Sequence, residues 1–331
     1  MKAGLKLAAL GLLLALTAGE TFAQTASDPA ARNFPNRPVR IIVPFPAGGP
    51  TDILARVVGQ RLSEDWGQAV IIENRPGADT VVAAQQVANA APDGYTLLAA
   101  MDTTLVMNLA TKTNLPYDPY KDFTYISMAS QNTSLLSVRA EDGPKNVQEL
   151  IARAKANPGK LNYGAGIITT RLAGYLFARE AGIQVQLIPY KGSPDVVQGL
   201  LTGAVDFIVD GIATAIPLIN GGKIRALAKL NDRPLSALPS VQPLSVAAGL
   251  PNLGDISSWT GIVAPAGTPR PIVDKIQLAI ARMYADPAVF KKLENSGITA
   301  VSSTPEEFEA YFRKEAVRWR TLFKESGIKL D

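Results

Sequence analysis

The first stretch of the sequence that could recognise a ligand is residues 39–52, VRIIVPFPAGGPTD. Its apolar residues 41–43 predict a buried strand of a parallel sheet, which the two prolines end. The two glycines predict a tight loop, and Thr51 is placed to cap the following helix. This order directs backbone N–H groups and the positive end of a helix dipole at one point. The pattern predicts an anion-binding loop, although a plain strand-to-helix turn would look the same.

Asp52 has two interpretations in this pattern. It lies in the first turn of the predicted helix and four residues before Arg56. A stabilising role through the helix dipole and this ion pair explains Asp52 as well as ligand contact does.

A second strand, glycine loop and helix occur later in the chain. Residues 161–163 predict the strand, residues 164–170 the loop, and a helix is expected from about Arg171. Thr169 and Thr170 could contact a ligand or serve only as helix caps, whereas Arg171 is predicted to be a solvated helix residue. The spacing of Gly164, Gly166 and Thr169 partly matches a dinucleotide fingerprint, but no acidic residue follows the next strand to bind a ribose.

Asp210 is the third candidate. It stands at the carboxyl end of a strand predicted at residues 205–209, and ligands of such sheets bind at strand carboxyl ends. The nearby turn at residues 190–192 is predicted to be structural, with Tyr190 packed inside.

The composition removes much catalytic chemistry. The chain contains no histidine and no cysteine, and therefore lacks the commonest general base, thiol nucleophile and zinc ligands. Neither a G-x-S-x-G nor a phosphate-loop motif is present. No metal or cofactor is expected. An enzyme that uses only Ser, Lys, Asp or Glu on an anionic substrate is the alternative from another class.

The N-terminus predicts export. Lys2 and Lys6 precede an apolar run, and residues 21–23 form a small-x-small cleavage site, so residues 1–23 are predicted to be a signal peptide. The mature protein is expected in the periplasm as a monomer. The net charge of +4 is spread without a basic block, and nucleic acid is therefore not an expected partner.

Strands alternate with helices along the 331 residues, which predicts an α/β fold with two Rossmann-like lobes and a ligand cleft between them. Lobe 1 is predicted to comprise residues 35–131 and 256–331, and lobe 2 residues 132–255. The first strand should be central, because right-handed crossovers flank it with the second and third strands. The loop at residues 46–52 and the segment with Thr103 and Thr104 then lie at the point where strand order reverses.

Nine short segments together identify a resemblance. They are PNRP at 35–38, VPFPAGGPTD at 43–52, GQ at 67–68, ENRPGA at 73–78, PDGYTL at 92–97, PYD at 116–118, NPGKLNYG at 157–164, PYKG at 189–192 and PAGTP at 265–269. In this order the chain resembles the substrate-binding receptors of the tripartite tricarboxylate transporter family, the Bug-type extracytoplasmic solute receptors.

The resemblance implies a periplasmic binding protein of the type II kind that closes on a small carboxylated solute and delivers it to a membrane permease. It implies no catalysis. The residues that it assigns to ligand binding are Phe45, Ala47, Gly48, Gly49, Thr51 and Asp52 in one jaw, Ala165, Gly166, Thr169 and Thr170 in the other, and Thr103, Thr104, Asn132 and Asp210 along the cleft. The chain departs from the family pattern at the second jaw, where the loop is shorter and Arg171 precedes the Leu-Ala-Gly of residues 172–174.

The expected ligand has two separated carboxylates, one for each helix N-terminus. An aromatic dicarboxylate is preferred, because Phe45 could stack on a ring; an aliphatic or amino dicarboxylate is the alternative, and Asp52 would favour the amine if it faced the cleft. A side chain at Gly49 or Gly166 is expected to block the ligand's approach to the backbone. A receptor that signals to a sensor partner remains the alternative to transport.

Overall fold

Two separate β-sheets organise the chain. The computed structural model describes residues 32–251, 253 and 255–326, so that the predicted signal peptide lies outside the described residues. We call the part built on the six-stranded sheet lobe 1 and the part built on the five-stranded sheet lobe 2. This architecture confirms the predicted two-lobed α/β fold.

The strands of lobe 1 are β1 (Val39–Val43), β2 (Val70–Asn74), β3 (Thr96–Met101), β4 (Phe123–Asn132), β10 (Ser258–Pro265) and β11 (Ile298–Ala300). Its helices are α1 (Pro50–Trp66), α2 (Val81–Ala88), α3 (Asn108–Thr111), α9 (Arg270–Tyr284), α10 (Pro287–Asn295) and α11 (Pro305–Ser326). The strand order is β11-β4-β10-β3-β1-β2. β1 lies between β2 and β3 and is parallel to both, as the crossover rule predicts.

The strands of lobe 2 are β5 (Ser134–Arg139), β6 (Leu161–Ala165), β7 (Val185–Pro189), β8 (Phe207–Gly211) and β9 (Ile224–Lys229), in the order β7-β6-β8-β5-β9. Its helices are α4 (Val147–Ala156), α5 (Ile168–Ala181), α6 (Ser193–Leu201), α7 (Ile212–Asn220) and α8 (Leu244–Ala248). β6 is parallel to β7 and β8, so the carboxyl ends of these three strands meet at one edge. The helices that follow β6, β7 and β8 therefore begin at the same edge.

Apolar strands and an aromatic cluster hold lobe 1 together. Every residue of β3 and β10 is buried, as expected for strands covered on both faces. The C-terminal helix α11 packs across this sheet through aromatic contacts: Phe312 stacks on Tyr125 with ring centroids 5.0 Å apart, and Phe308 meets Trp259 edge-on at 5.6 Å. Thr304 and Glu307 form a capping box at the start of α11.

The lobes are joined where β4 ends at Asn132 and β5 begins at Ser134. The chain returns to lobe 1 before Ser258. Asn231 on this return donates hydrogen bonds to Thr133 Oγ1 at 3.0 Å and to Ser257 Oγ at 3.1 Å. These bonds tie the outgoing and returning strands together at the hinge.

Two predictions about helix starts are wrong. Thr51 does not cap α1: the N-cap is Gly49, because Pro50 occupies the first helical position that proline favours, and the Thr51 hydroxyl contacts Met101 Sδ at 2.9 Å. α5 begins at Ile168 rather than near Arg171, which leaves only Gly166 and Ile167 between β6 and the helix. Thr169 and Thr170 thus belong to the first helical turn.

The sequence interpretation also missed some short elements. These are β11, α8, α10, and a π-helical turn at Thr103–Met107. Within the described ranges, no helix combines the length and apolarity needed to cross a bilayer.

Candidate functional site

Hydrogen bonds to the buried carboxylate of Asp52 hold the loop between β1 and α1 in place. Asp52 is 2% exposed, and its carboxylate accepts hydrogen bonds from Gly48 N, Arg56 Nε and Asn74 Nδ2, all at 2.9 Å. Asn74 also donates to the carbonyl oxygen of Phe45 at 3.0 Å. Burial would raise the pKa of Asp52, but the bonds from Arg56, Gly48 and Asn74 outweigh it and lower that pKa. Asp52 therefore fixes the loop and forms the expected i, i+4 pair with Arg56.

A cavity between the lobes lies in front of this loop. We call it the Asp210 cavity; its volume is about 30 Å³ in this closed conformation, room for one or two water molecules. It is lined by Phe45, Pro46, Gly49, Pro50, Thr51, Met101, Asn132, Ser134, Ile167, Thr170, Gly192, Ser193, Pro194, Asp210, Gly211 and Ser258. Both lobes contribute to its wall.

Helix N-termini converge on the Asp210 cavity. The N-caps of α1, α6 and α7 are Gly49, Gly192 and Gly211, which all line it, and none of these helices has a side-chain cap. By contrast, α4, α10 and α11 begin with capping side chains from Asn146, Asp286 and Thr304. Uncapped helix starts present N–H groups and a positive dipole end, so the cavity suits an anionic or strongly accepting group.

Asp210 is the acidic side chain on this wall. It is 5% exposed and accepts hydrogen bonds from Ser193 Oγ at 2.7 Å and Thr214 Oγ1 at 2.9 Å. Burial raises the pKa of Asp210 to about 6, and the bonds from Ser193, Thr214 and the Gly211 amide limit the rise. The carboxylate is therefore mostly ionised at neutral pH and is balanced by the helix starts around it.

A second, larger cavity lies beside the first. We call it the Arg171 cavity; its volume is about 390 Å³. Its lining is formed by Pro44, Phe45, Pro76, Gly77, Ala78, Asp79, Thr80, Thr103, Gly166, Ile167, Arg171, Tyr190 and Lys191. Phe45 and Ile167 line both cavities, so the two spaces adjoin at these residues.

Arg171 is not the solvated helix residue that the sequence predicted. Its side chain is 13% exposed, and Nη2 lies 3.1 Å from Asp79 Oδ1 of lobe 1. The prediction failed because Arg171 lies near the start of α5, where it lines a cavity between the lobes and pairs with a residue of the other lobe.

Several contacts join the lobes across the cleft. Thr169 Oγ1 donates to Asp102 Oδ2 at 2.6 Å, in addition to the Arg171–Asp79 ion pair. A Cβ atom added to Gly192 would lie 3.1 Å from Pro46 Cδ, so these loops already touch. Because these contacts bridge the cleft, the conformation is a closed one.

Asp102, which takes part in one of these contacts, is fully buried. Burial raises its pKa to about 7 despite bonds from Thr169 and the Thr103 amide.

The structure brings together part of the predicted set. The residues that line the Asp210 cavity are Phe45, Gly49, Thr51, Asn132, Thr170 and Asp210, and those that line the Arg171 cavity are Phe45, Thr103 and Gly166. Ala47, Gly48, Asp52, Thr104, Ala165 and Thr169 line neither. Ala47 and Gly48 are exposed on the loop, Ala165 is the last residue of β6, and Thr104 is buried in the π-helical turn.

Two segments of the site were missed by the sequence interpretation. Residues 76–80 follow β2, and residues 190–194 follow β7; both contribute to the cavities. Tyr190 does pack against an apolar cluster as predicted, but its turn also faces the cleft. The rule that ligands bind at strand carboxyl ends would have found both segments, because β2 and β7 end at the same edges as β1 and β6.

The fold and this cleft define a class: a two-lobed solute-binding receptor of the periplasmic binding protein type. The model of the tripartite tricarboxylate transporter family receptor matches residues 54–328. The chain belongs to this family, which confirms the resemblance found in the sequence. Its family and fold are those of solute-binding receptors, which are not enzymes.

Relatives and solved structures agree with this assignment. BugT of Bordetella pertussis is 32% identical over 327 residues, with 98% of each chain covered. A solved R. palustris protein with adipate is 32% identical, with a TM-score of 0.86 over 90% of this chain and 99% of that one. MatC from Rhodopseudomonas palustris with bound malate is 32% identical, with a TM-score of 0.80 over 87% and 99%.

Proposed function

We propose that this protein is a periplasmic receptor that binds a small dicarboxylate and delivers it to the membrane permease of a tripartite transporter. The observation that carries the proposal is the convergence of uncapped helix N-termini from both lobes on the Asp210 cavity. Each such terminus can hold a carboxylate without a cationic side chain. The adipate and malate in two solved relatives are dicarboxylates, which supports the same ligand class here.

Closure gives a reason for two carboxylates. A ligand shifts the open and closed states only by its different affinity for them. A dicarboxylate that contacts both lobes gains its second contact only when the cleft closes, whereas a monocarboxylate engages one lobe. We therefore expect dicarboxylates to favour closure much more strongly.

The carbon skeleton that joins the two carboxylates of the ligand can be aromatic or aliphatic. Phe45 is 8% exposed and lines both cavities, so a ring between the two carboxylates would lie against it, and an aromatic dicarboxylate remains our preference. Asp52 no longer supports an amine, because its carboxylate is occupied by the loop. Asp210 is the acid on the wall of the Asp210 cavity, and it is the argument for an amino dicarboxylate as the alternative.

A thermal-shift panel tests the proposal on the purified mature protein. At 100 times its dissociation constant, a ligand adds about 2.7 kcal/mol to the free energy of unfolding, which raises the melting temperature by several degrees. The panel contains terephthalate, adipate, malate, aspartate and glutamate, with benzoate and hexanoate as monocarboxylate partners. Equal shifts for terephthalate and benzoate would contradict the binding of one carboxylate by each lobe. A response to aspartate or glutamate alone would contradict the preference for a ring.

Export and transport need their own measurements. Intact mass of the periplasmic protein should correspond to a chain that starts at Gln24, and a retained Met1 would refute the predicted cleavage.

Deletion of the gene should abolish growth on the ligand if the receptor serves transport. Normal growth with a lost transcriptional response would favour the sensor alternative. Mass spectrometry should recover the ligand unchanged, and a converted product would favour an enzyme.

A further inference from the structure

We propose that Arg171 binds the second carboxylate of the ligand, and that it does so by giving up its ion pair with Asp79. This inference rests on the proposed function, since it assumes a dicarboxylate in the cleft. It assigns ligand selectivity to a side chain of lobe 2 in the Arg171 cavity, whereas the first carboxylate is held by helix N-termini in the Asp210 cavity.

Arg171 has at least one hydrogen-bond donor without a partner among the described residues. Its Nη2 contacts Asp79 Oδ1 at 3.1 Å and the carbonyl oxygen of Gly166 at 3.4 Å. Its Nε is buried and has no hydrogen-bond partner among the described residues. A buried donor without a partner is unfavourable, more so when it is charged, so a ligand oxygen at this position would be strongly favoured.

A second unpartnered group lines the same cavity. Thr103 is 1% exposed, and its Oγ1 has no hydrogen-bond partner within the described part of the chain. Lys191 lines the cavity from lobe 2 and makes no ion pair with a described residue. A cavity of about 390 Å³ with a guanidinium, an ammonium and a free hydroxyl has the groups that bind a carboxylate.

Asp79 is suited to release Arg171. Its other carboxylate oxygen, Oδ2, lies 3.4 Å from Lys112 Nζ, so Asp79 keeps a cationic partner after the exchange. Asp79 lies in a run of three non-glycine residues with positive φ: 47° at Ala78, 52° at Asp79 and 77° at Thr80. This backbone is unfavourable for non-glycine residues, so it is held in place by its surroundings and keeps Asp79 aimed at the cleft.

One ligand can reach both cavities because they share part of their lining. Phe45 and Ile167 line both, so a ring or short chain beside Phe45 has one end at the helix N-termini and the other near Arg171. Arg171 belongs to lobe 2 and Asp79 to lobe 1, and the ion pair already bridges the cleft in the closed form. The ligand's carboxylate takes over this bridge. A guanidinium binds a carboxylate through two parallel bonds, which lysine cannot do.

Arg171→Gln tests the inference, with Arg179→Gln as the matched control on the same helix. Arg179 is 44% exposed and pairs with Glu180 at 3.0 Å. The probes are adipate with hexanoate and terephthalate with benzoate, measured by calorimetry on the wild-type protein and both variants. We expect Arg171→Gln to weaken the preferred dicarboxylate about 100-fold and its monocarboxylate partner at most about threefold, and Arg179→Gln to change neither more than about twofold.

A second variant separates charge from geometry. Arg171→Lys keeps the charge but not the paired bonds, and we expect it to recover about tenfold of the lost affinity. If no dicarboxylate binds the wild-type protein, the proposed function fails and the inference fails with it. If the wild type binds a dicarboxylate and Arg171→Gln binds it equally well, or loses both probes equally, the inference alone is overturned.

Discussion

The two cavities of the cleft attract anions by different means. Among the described residues, no cationic side chain lines the Asp210 cavity; its positive potential comes from backbone groups at the starts of α1, α6 and α7. The Arg171 cavity carries Arg171 and Lys191, and its acid is the paired Asp79. One cavity therefore uses the backbone, and the other uses side chains.

This difference separates general from selective recognition. A helix start contributes about half a positive charge whatever its side chains are, so it can bind any carboxylate that fits. A guanidinium needs the carboxylate at one distance and in one plane, so it selects a ligand length. We infer that the Asp210 cavity gives affinity for carboxylates as a class, and that the Arg171 cavity selects among them.

The largest expected effect comes from filling the backbone-lined cavity. A Cβ on Gly49 would meet only Pro46 O, at 3.9 Å, so that Gly49→Val should fold normally. Because Gly49 lines the Asp210 cavity of about 30 Å³, the new side chain takes the space that a carboxylate needs. We expect dicarboxylate affinity to fall at least 100-fold in calorimetry, with a melting temperature within a few degrees of the wild type.

Ala266→Val is the control for this variant. Ala266 is an exposed residue of the loop after β10, where Pro265, Ala266 and Gly267 repeat the order of Pro46, Ala47 and Gly48. Its Cβ branch should change neither affinity nor stability appreciably. Normal binding by a folded Gly49→Val protein would show that the carboxylate does not approach the start of α1.

Asp210→Asn tests whether the acid in the backbone-lined cavity repels or attracts the ligand. For adipate or terephthalate we expect roughly tenfold tighter binding at pH 8, because a negative charge several ångströms from the carboxylate is removed. Wild-type affinity should rise a few-fold from pH 8 to pH 6, as Asp210 with its pKa of about 6 takes up a proton, and the variant should lose this dependence. An amino dicarboxylate should instead bind the variant more weakly, which would support the amine alternative.

Asp210→Asn should also alter how the free energy of unfolding depends on pH. The folded-state pKa of Asp210 lies above its ordinary value, so its favourable contribution is complete below about pH 4 and is lost as pH rises through about 6. Asp102 adds a similar loss through about pH 7. Denaturant unfolding at pH 5 and pH 8 should therefore differ less in Asp210→Asn than in the wild type. An unchanged difference would mean that Asp210 is not buried in solution.

The backbone-lined cavity could be predicted from sequence better than the side-chain-lined one. Prolines and glycines after an apolar strand predict a loop and a helix start directly, because those residues restrict or free the backbone locally. The parallel order of β1, β2 and β3 also followed from the alternation of strands and helices. The fold was therefore predictable to the level of the two lobes and the central place of β1.

The Arg171 cavity depends on contacts between distant parts of the chain. Arg171 and Asp79 are in different lobes, and no local pattern indicates that they meet. The start of α5 was placed too late, because Thr169 and Thr170 have the residue types of caps but lie inside the first turn. Asp52 was ambiguous for a related reason: its three partners include Asn74, which follows 22 residues later and adjoins it only through sheet pairing.

Thr169→Val should weaken closure moderately. It removes the 2.6 Å bond to Asp102 and leaves the buried carboxyl with the Thr103 amide as its remaining donor within the described part of the chain. A bond of this kind contributes about 1 kcal/mol, so we expect dicarboxylate affinity to fall about fivefold. Because the lost bond lowered the pKa of Asp102, the pH at which stability is lost should move above about 7. Affinity equal to that of the wild type would indicate that this bond does not form in the bound state.

The smallest effect comes from comparing Gly48→Ala with Gly267→Ala. The two glycines have φ of 88° and 83°, and an added Cβ would meet only Pro194 Cγ at 3.9 Å and Pro92 Cβ at 4.0 Å. Each change should therefore cost about 1 kcal/mol of stability through backbone strain. Only Gly48 donates to Asp52, which positions the loop of the Asp210 cavity. Gly48→Ala should also weaken dicarboxylate binding about twofold, and equal binding by both variants would show that the loop tolerates this strain without moving the site.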